Sequence, residues 1–231
     1  MTTLLLRLAG PMQSWGTQSR FSTRDTGREP SKSGVIGLLC AALGRPRSES
    51  VDDLSALKMG VRVDREGTVR MDYQTAGGSR HDDYGVRTAN LGKGATVVSR
   101  RYYLADADFL VGLEGDRALL ERLDAALAEP VWQIFLGRKA FVPGWPVRLP
   151  DEAPFGPGLR EGDVETLLRS FAWDAPTRPA NAEARRRLVL ECDPGHGDAE
   201  PRVDVPISFA ERRFGVRYVR TDWATPPAKV A

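Results

Sequence analysis

The strongest constraint on the fold is a change of hydrophobic pattern within the first 44 residues. Residues 4–8 (LLLRL) form a short apolar run closed by a Gly-Pro pair, which predicts a buried strand that ends in a turn. After a polar stretch, Pro30 and Ser31 mark a helix start, and apolar residues then recur at helical spacing until Gly44. The chain therefore opens with a strand, a loop and a helix.

The middle of the chain predicts more strands and a second helix. Apolar and polar residues alternate at 61–64 and 69–73 on either side of Glu66 and Gly67, which argues for a hairpin. The later elements are strands at 97–104 and 108–113, an amphipathic helix at 119–127 that Pro130 ends, and a closing strand at 131–136. This order resembles the split βαβ, or ferredoxin-like, arrangement.

Two segments interrupt this pattern. Residues 76–96 contain five glycines and no core pattern, which predicts a projecting loop, or thumb, at about 76–98. Five prolines between 143 and 157 predict a stiff crossing and a domain boundary near residue 145. We therefore expect an α+β fold with a ferredoxin-like (RRM-like) domain at 1–145 that carries the thumb, and a small β-rich domain at 146–231. In the second domain, a helix is predicted at 163–171 and strands at 187–192, 202–209 and 215–221.

Several functional classes are disfavoured by the sequence. Cys40 and Cys192 have no partner at metal-ligand spacing, and the only histidines are His81 and His196, so we expect no metal and no cofactor. No phosphate-loop motif is present, and no pair of acidic residues stands out as catalytic. Without a secretory signal or an apolar run of membrane-spanning length, the expected location is the cytoplasm, with no membrane partner.

Charge distribution is more informative than the net charge of +2. Residues 106–129 hold seven acidic and two basic residues, whereas residues 62–101 hold eight basic and five acidic residues. Basic residues also occur beside aromatic residues and glycines, a combination that suits phosphate contacts and base stacking on single-stranded RNA. One basic face is therefore expected despite the nearly neutral total.

Basic residues that could contact phosphate fall in three places. Lys32 and Ser33 lie at a helix start, where free N–H groups attract anions, although simple N-capping by Ser31 or Ser33 is an open alternative. The thumb contains basic residues that could contact a nucleic-acid strand. The alternative is that they are solvated or contact a protein neighbour. A Gly137 turn carries two more cations after an apolar run. The thumb and turn residues are Arg80, His81, Arg87, Arg138 and Lys139.

Trp15 and Arg24 are further candidates between the first strand and the first helix. The Trp15 ring either stacks on a base or fills the edge of the core, and residue type favours the core. Arg24 is one of three arginines that recur in the polar stretch before Pro30.

Three stretches together carry a family resemblance: residues 6–16 (LRLAGPMQSWG), 30–39 (PSKSGVIGLL) and 136–139 (LGRK). They resemble the CasD subunits of type I-E CRISPR Cascade complexes, which are Cas-five proteins of the RAMP superfamily. The resemblance spans roughly residues 4–145 and implies a ferredoxin-like domain with a thumb. It also implies a role in capping the 5′ handle of the crRNA, beside the Cascade backbone subunits and the large subunit that reads target DNA, so that contact with target DNA is indirect.

Related type I-C proteins cut precursor RNA, and the resemblance therefore leaves a nuclease as one alternative. A metal-free cut needs a base and an acid near the 2′-hydroxyl group. The only histidine of the matching domain is His81, and none follows Lys139, so we expect binding without cutting and no catalytic residue. A second alternative is an assembly subunit whose basic clusters contact protein instead of RNA.

Overall fold

A computed structural model describes residues 1–16, 22–77, 96–152, 155–172 and 185–225 of the protein. The strands in these ranges are β1 (Thr2–Ala9), β2 (Met12–Gln13), β3 (Thr23–Arg24), β4 (Lys58–Arg65), β5 (Thr68–Gly77), β6 (Thr96–Ala105), β7 (Asp108–Gly115), β8 (Leu159–Glu161), β9 (Arg186–Cys192), β10 (Glu200–Ser208) and β11 (Arg213–Ala224). The helices are α1 (Lys32–Leu43), α2 (Asp52–Ser55), α3 (Arg117–Ala128) and α4 (Val164–Ser170). The fold is therefore mixed α/β and mostly strands, as the predicted α+β class requires.

The larger sheet has seven strands in the order β10-β11-β9-β4-β7-β1-β8, and its neighbours pair antiparallel. At its centre, Val111 of β7 is the register partner of both Leu6 in β1 and Val61 in β4. β1 is buried along its whole length because helices cover both faces of this region. Burial on both faces explains why its sequence is a continuous apolar run instead of an alternating one.

The helices pack on opposite faces of this sheet. α1 begins after Ser31, whose hydroxyl accepts a hydrogen bond from Gly34 N, and it ends at Gly44 with φ of 68°. α1 and α3 pack together over one face, while α4 covers the other. A Cβ atom added at Gly60 would lie 2.7 Å from Leu168 of α4, so glycine allows this helix to lie close to β4.

A second sheet contains β2, β6, β3 and β5. β5 and β6 pair along ten residues, from Thr68 opposite Ala105 to Gly77 opposite Thr96. The predicted strands at 61–64 and 69–73 exist, but their pairing in one hairpin is wrong, since β4 pairs with β7 and β9. Gly67, with φ of 70°, redirects the chain between the two sheets.

The predicted strand at 131–136 is also wrong. This segment is irregular and its start docks on the end of α1, where Trp132 N donates to Ala41 O at 3.0 Å. The strand that closes the sheet beside β1 is β8, after the proline-rich crossing. β9, β10 and β11 continue the same sheet from β4, and the division into domains at 1–145 and 146–231 stays a prediction. In the part of the chain that the structure describes, no helix is long and apolar enough to cross a membrane.

Candidate nucleic-acid interface

Trp15 is a core residue in this structure. Its side chain is 1% exposed, and its indole N–H donates to Oε1 of Gln13 at 3.2 Å. The ring lies against Gly34 of α1, where an added Cβ atom would come within 2.8 Å of it. A base has no exposed indole surface on which to stack, so Trp15 fixes the loop to α1 and is not included in the interface proposed below.

The anion site predicted at the start of α1 is occupied by the protein itself. Lys32 N donates to Asp204 Oδ2 at 2.8 Å, and the Lys32 ammonium group lies 3.1 Å from Glu191 Oε1. The Lys32 side chain is only 2% exposed. Burial lowers its pKa, while the charge of Glu191 opposes that shift. In this structure a carboxylate of β10 therefore takes the place that was expected for phosphate, and an RNA contact at Lys32 stays a prediction.

The turn at 136–141 is well ordered by its backbone. Leu136 N donates to Phe141 O at 2.7 Å, and Phe141 N donates to Arg138 O at 2.8 Å. Ser14 N donates to Leu136 O at 3.1 Å and ties the turn to the end of β2. Gly137 has φ of 88°, and a Cβ atom there would lie 1.8 Å from Ser14 O. The sequence-predicted need for glycine thus has a direct steric cause.

Arg138 extends from this turn onto the second sheet. Its Nη2 donates to Tyr102 O at 2.8 Å, and its guanidinium lies 5.3 Å from the centroid of the Phe141 ring. Its Nη1 is buried and has no hydrogen-bond partner among the described residues. A buried, unsatisfied donor on a charged group is costly unless a ligand completes it.

Two more arginines surround Arg138. Arg24 on β3 and Arg101 on β6 are register partners in parallel strands, which places both side chains on one face of the sheet. The pKa of Arg138 is lowered by burial first and then by the nearby charges of Arg101 and Arg24, while Asp72 and Asp25 partly offset this. We call Arg24, Arg101 and Arg138 the arginine cluster. Its positive charges repel one another, and Asp72 and Asp25 offset part of that repulsion.

Ser33 and Lys139 line one cleft next to the Gly137 turn. Both line a cleft between α1 and the segment that follows α3, although neither is near the other in sequence. Ser33 Oγ lies 3.4 Å from Ser31 Oγ, which is consistent with the capping alternative. Lys139 is exposed. The Gly137 turn thus contributes Arg138 to the arginine cluster and Lys139 to the lining of the cleft.

Three further predicted site residues belong to the thumb. Arg80, His81 and Arg87 of the thumb lie outside the described residues. Among the residues that are described, no group of three or more His, Cys, Asp or Glu side chains could hold a metal ion.

Two residues of the interface were not predicted from the sequence. Arg101 was one of eight basic residues between 62 and 101. Only its register with Arg24 identifies it as a member of the arginine cluster. Trp132 was assigned to a strand at 131–136, whereas its side chain is 48% exposed at the edge of the cleft. The sequence signal that could have identified Trp132 is the recurrence of aromatic and basic residues between Trp132 and Lys139.

Comparison with known proteins defines the family. The family described as CRISPR-associated protein (Cas_Cas5) matches residues 3–220, which is nearly the whole chain and includes the Gly137 turn, Ser33 and the arginine cluster. The chain belongs to the Cas5 family. The resemblance found at roughly residues 4–145 is therefore confirmed, and the family match extends through most of β11.

Individual Cas5 relatives agree with this assignment. The CRISPR system Cascade subunit CasD of Escherichia coli (strain K12) is 36% identical over 152 residues, covering 59% of this chain and 65% of that protein. The match thus spans somewhat less than two thirds of the length of this curated relative.

Two solved structures match more completely. One is described as the crystal structure of a Cas protein, with 43% identity, a TM-score of 0.74 and coverage of 96% of this chain and 95% of that chain. The other belongs to a CRISPR RNA-guided surveillance complex, with 38% identity, a TM-score of 0.79 and coverage of 98% and 91% respectively.

Proposed function

We propose that this Cas5 chain is a non-catalytic subunit of a CRISPR Cascade surveillance complex, in which it binds and caps the 5′ handle of the crRNA. Its similarity to the Cascade subunit CasD and to a chain of an RNA-guided surveillance complex supports this role. Its neighbours in the assembly would be the backbone subunits and the large subunit, and its contact with target DNA would be indirect. A cytoplasmic location and the thumb contacts at Arg80, His81 and Arg87 remain predictions.

The observation that carries the RNA-binding proposal is the environment of Arg138. Its Nη1 is buried without a partner among the described residues, and two other guanidinium groups act on it electrostatically. Asp72 and Asp25 offset part of this repulsion, and a phosphate beside the half-buried guanidinium would reduce the remainder, because arginine pairs strongly with phosphate. Lys139 on the same turn would hold a neighbouring phosphate.

A ferredoxin-like core is the fold that we propose for the part that carries this site. In support, the strand order β8-β1-β7-β4 is antiparallel throughout, with α1 after the first strand and α3 after the third. The proposed thumb is the insertion between β5 and β6. We retain residues 146–231 as a proposed β-rich domain, whose strands join the same sheet.

The capping role can be tested by assembling the complex with and without this subunit. In its presence, the 5′ end of the bound crRNA should resist a 5′ exonuclease, and without the subunit the same nucleotides should be removed. Equal digestion in both preparations would reject the capping role. Retained protection with Arg138→Ala and Lys139→Ala combined would reject the proposed site but not the role.

The non-catalytic proposal requires its own test. The purified chain should leave a repeat-containing precursor RNA intact in EDTA over the time in which a processing nuclease cuts it. Specific cleavage that depends on this chain would favour the endoribonuclease alternative instead. An assembly role without RNA contact would appear as crosslinks from residues 136–141 to protein alone.

A further inference from the structure

Another cleft lies beside the second half of β1, between the C-terminal end of α3 and the proline-rich crossing. It has a volume of about 550 Å³, and most of the side chains around it are apolar. We call it the Trp145 cleft. Its apolar walls are formed by Leu127, Trp145, Pro146, Leu149, Pro150 and Phe155.

The walls of the Trp145 cleft are fixed by contacts to β1 and α3. Arg7 N donates to Val147 O at 2.9 Å, which holds the crossing against the edge of β1. Arg148 Nη2 donates to Asp124 Oδ2 at 2.8 Å, which ties the crossing to α3. Because both walls are anchored, the cleft is formed without a ligand, and binding would not cost the entropy of ordering it.

Trp145 is the exposed aromatic residue of this cleft. The guanidinium of Arg7 lies 4.9 Å from the centroid of its ring, and Arg7 is itself buried and held by Asp108 at 2.7 Å. Gly144 N donates to Ala9 O at 2.9 Å and fixes the backbone just before the ring. Nevertheless, 46% of the Trp145 side chain is exposed. A half-exposed tryptophan on a fixed backbone, within an apolar cleft, is typical of the residues that dominate binding at protein interfaces.

The exposed charges at the rim of the cleft are acidic. Glu129 directly follows α3, and Asp151 and Glu152 directly follow the apolar residues of the crossing. All three side chains are exposed. Carboxylates around an apolar cleft repel phosphate and attract lysine and arginine, so they favour a basic partner.

The cations at this cleft are already bound within the chain. Arg148 contacts the carboxylates of Asp124 and Asp151 at 2.8 and 2.6 Å. Arg160, beside Phe155, donates to Phe155 O at 3.2 Å and to neighbouring backbone oxygens. A phosphate group would have to displace these contacts, which makes RNA a poor ligand for this surface.

We propose that the Trp145 cleft docks another protein subunit of the surveillance complex, which inserts a large apolar side chain flanked by lysine or arginine. The apolar side chain would pack against Trp145, and the flanking cations would reach Glu129 and Glu152. This inference rests on the proposed function, since it takes the partner from the complex to which the chain is assigned. The three members of the arginine cluster do not line this cleft, so RNA and the partner could bind together.

The first experiment replaces Trp145 with the photoreactive residue p-benzoylphenylalanine, which keeps a large aromatic side chain in the cleft. The full-length protein is assembled with crRNA and the other subunits and then irradiated. The adduct should join one protein subunit, at a peptide that has a large apolar residue within a few positions of lysine or arginine. An adduct to RNA or to a second copy of this chain, or no adduct in an intact complex, would overturn the proposal.

A blocking variant measures the contribution of the cleft to subunit binding. Ala128, the last residue of α3, lines the cleft, and Ala128→Arg would fill that end and repel a basic partner. The Kd for the crosslinked subunit should rise about tenfold or more, while α3 is preserved because arginine is a good helix former.

Ala118→Arg is the matched control for this variant. Ala118 is exposed on the same helix and lies about 15 Å from Ala128 along the helix axis. The same added charge at that position should leave the Kd unchanged. If Ala128→Arg binds the subunit as tightly as Ala118→Arg does, the docking site is rejected.

The acidic rim is tested separately from the cleft. Combining Glu129→Gln with Glu152→Gln should weaken subunit binding and reduce its dependence on salt concentration, because fewer ion pairs remain to be screened. Glu49→Gln, which removes an exposed carboxylate in the loop after α1, should change neither quantity. An unchanged salt dependence in the double variant would reject a basic partner.

The docking site and the capping role can fail independently. Protection of the crRNA by the wild-type subunit, with no effect of Ala128→Arg on subunit binding, would reject the docking site and leave the capping role. A protein adduct at Trp145 in a complex whose crRNA is unprotected would support the docking site and reject the capping role. Failure of the wild-type chain to join the complex would reject both.

Discussion

The amide of Lys32, at the first turn of α1, donates to the carboxylate of Asp204 on β10, 172 positions later in the chain. Asp204 also accepts from Arg217 Nε at 2.7 Å and from its Nη2 at 2.9 Å. The N-terminal end of α1 therefore receives its negative charge from a distant strand instead of from a ligand. This relationship gives α1 a fixed position relative to the end of the sheet.

Asp204→Ala should destabilise the protein by about 3–5 kcal/mol, because it removes the carboxylate that pairs most closely with the buried Arg217 and that accepts from the Lys32 amide. Equilibrium unfolding in urea measures this change. Asp198→Ala, which removes an exposed carboxylate in the turn before β10, should cost less than about 0.5 kcal/mol. Equal effects of the two variants would contradict a structural role for Asp204.

The contribution of Asp204 should also depend on pH. Burial alone would raise the pKa of Asp204, but the hydrogen bonds and charge of Arg217 outweigh it and lower the pKa below the ordinary value of 3.8. Because the folded-state pKa is the lower one, the stabilisation is present above pH 3.8 and is lost as pH falls through the folded pKa. The difference in unfolding free energy between wild type and Asp204→Asn should therefore shrink on acidification. A difference that grows below this pH would contradict the assignment.

Gly137→Ala should displace the turn that carries Arg138 and Lys139, since the new methyl group would overlap Ser14 O. We expect a loss of about 1–3 kcal/mol in stability and RNA affinity reduced as much as by Arg138→Ala. Gly195→Ala is the matched control, because an added Cβ atom there meets nothing within 4 Å. Unchanged RNA affinity in Gly137→Ala would separate this turn from the RNA site.

Arg138→Ala should reduce the salt dependence of crRNA binding as well as the affinity. Loss of one phosphate contact to a single strand should reduce the slope of log K against log salt by about 0.7. Binding titrations at several salt concentrations measure the slope. Arg122→Ala, on the exposed face of α3, should leave it unchanged. If Arg138→Ala has the same slope of log K against log salt as the wild type, this arginine does not contact phosphate.

Cys40 should react slowly with thiol reagents at pH 8. Burial raises the pKa of its thiol to about 11, so only about one molecule in a thousand would carry the reactive thiolate. Cys192 is half-buried on β9 and should account for the faster phase of labelling. Cys192→Ser should remove that phase, and rapid labelling of this variant would contradict the prediction for Cys40.

Elements whose pattern arises locally were predictable from the sequence. The helix at Lys32–Leu43 follows from apolar spacing between Ser31 and Gly44, and α3 follows in the same way before Pro130. The pairing of strands was harder to predict from the sequence. β4 and β5 are neighbours in sequence with alternating residues, yet their partners are decided by distant strands, and nothing near Gly67 indicates the change of sheet.

The site shows a similar limit. The Gly137 turn was found because glycine followed by two cations is a local signal. Lys32 has the same local signal, but burial against Glu191 and Asp204 depends on β9 and β10. Arg101 depends on its register with Arg24, which no pattern around residue 101 encodes. Contacts with distant strands therefore decide that Lys32 pairs with carboxylates, which the local sequence pattern does not show.

Because β9 lies between β4 and β11 in the sheet, β4 cannot complete its pairing until β9 has been translated. While the ribosome has made only the first half of the chain, one edge of β4 has no neighbour, and Lys32 lacks both of its carboxylate partners. An exposed strand edge is prone to pairing with other chains. The nascent subunit is thus most vulnerable to aggregation before β9, β10 and β11 emerge from the ribosome.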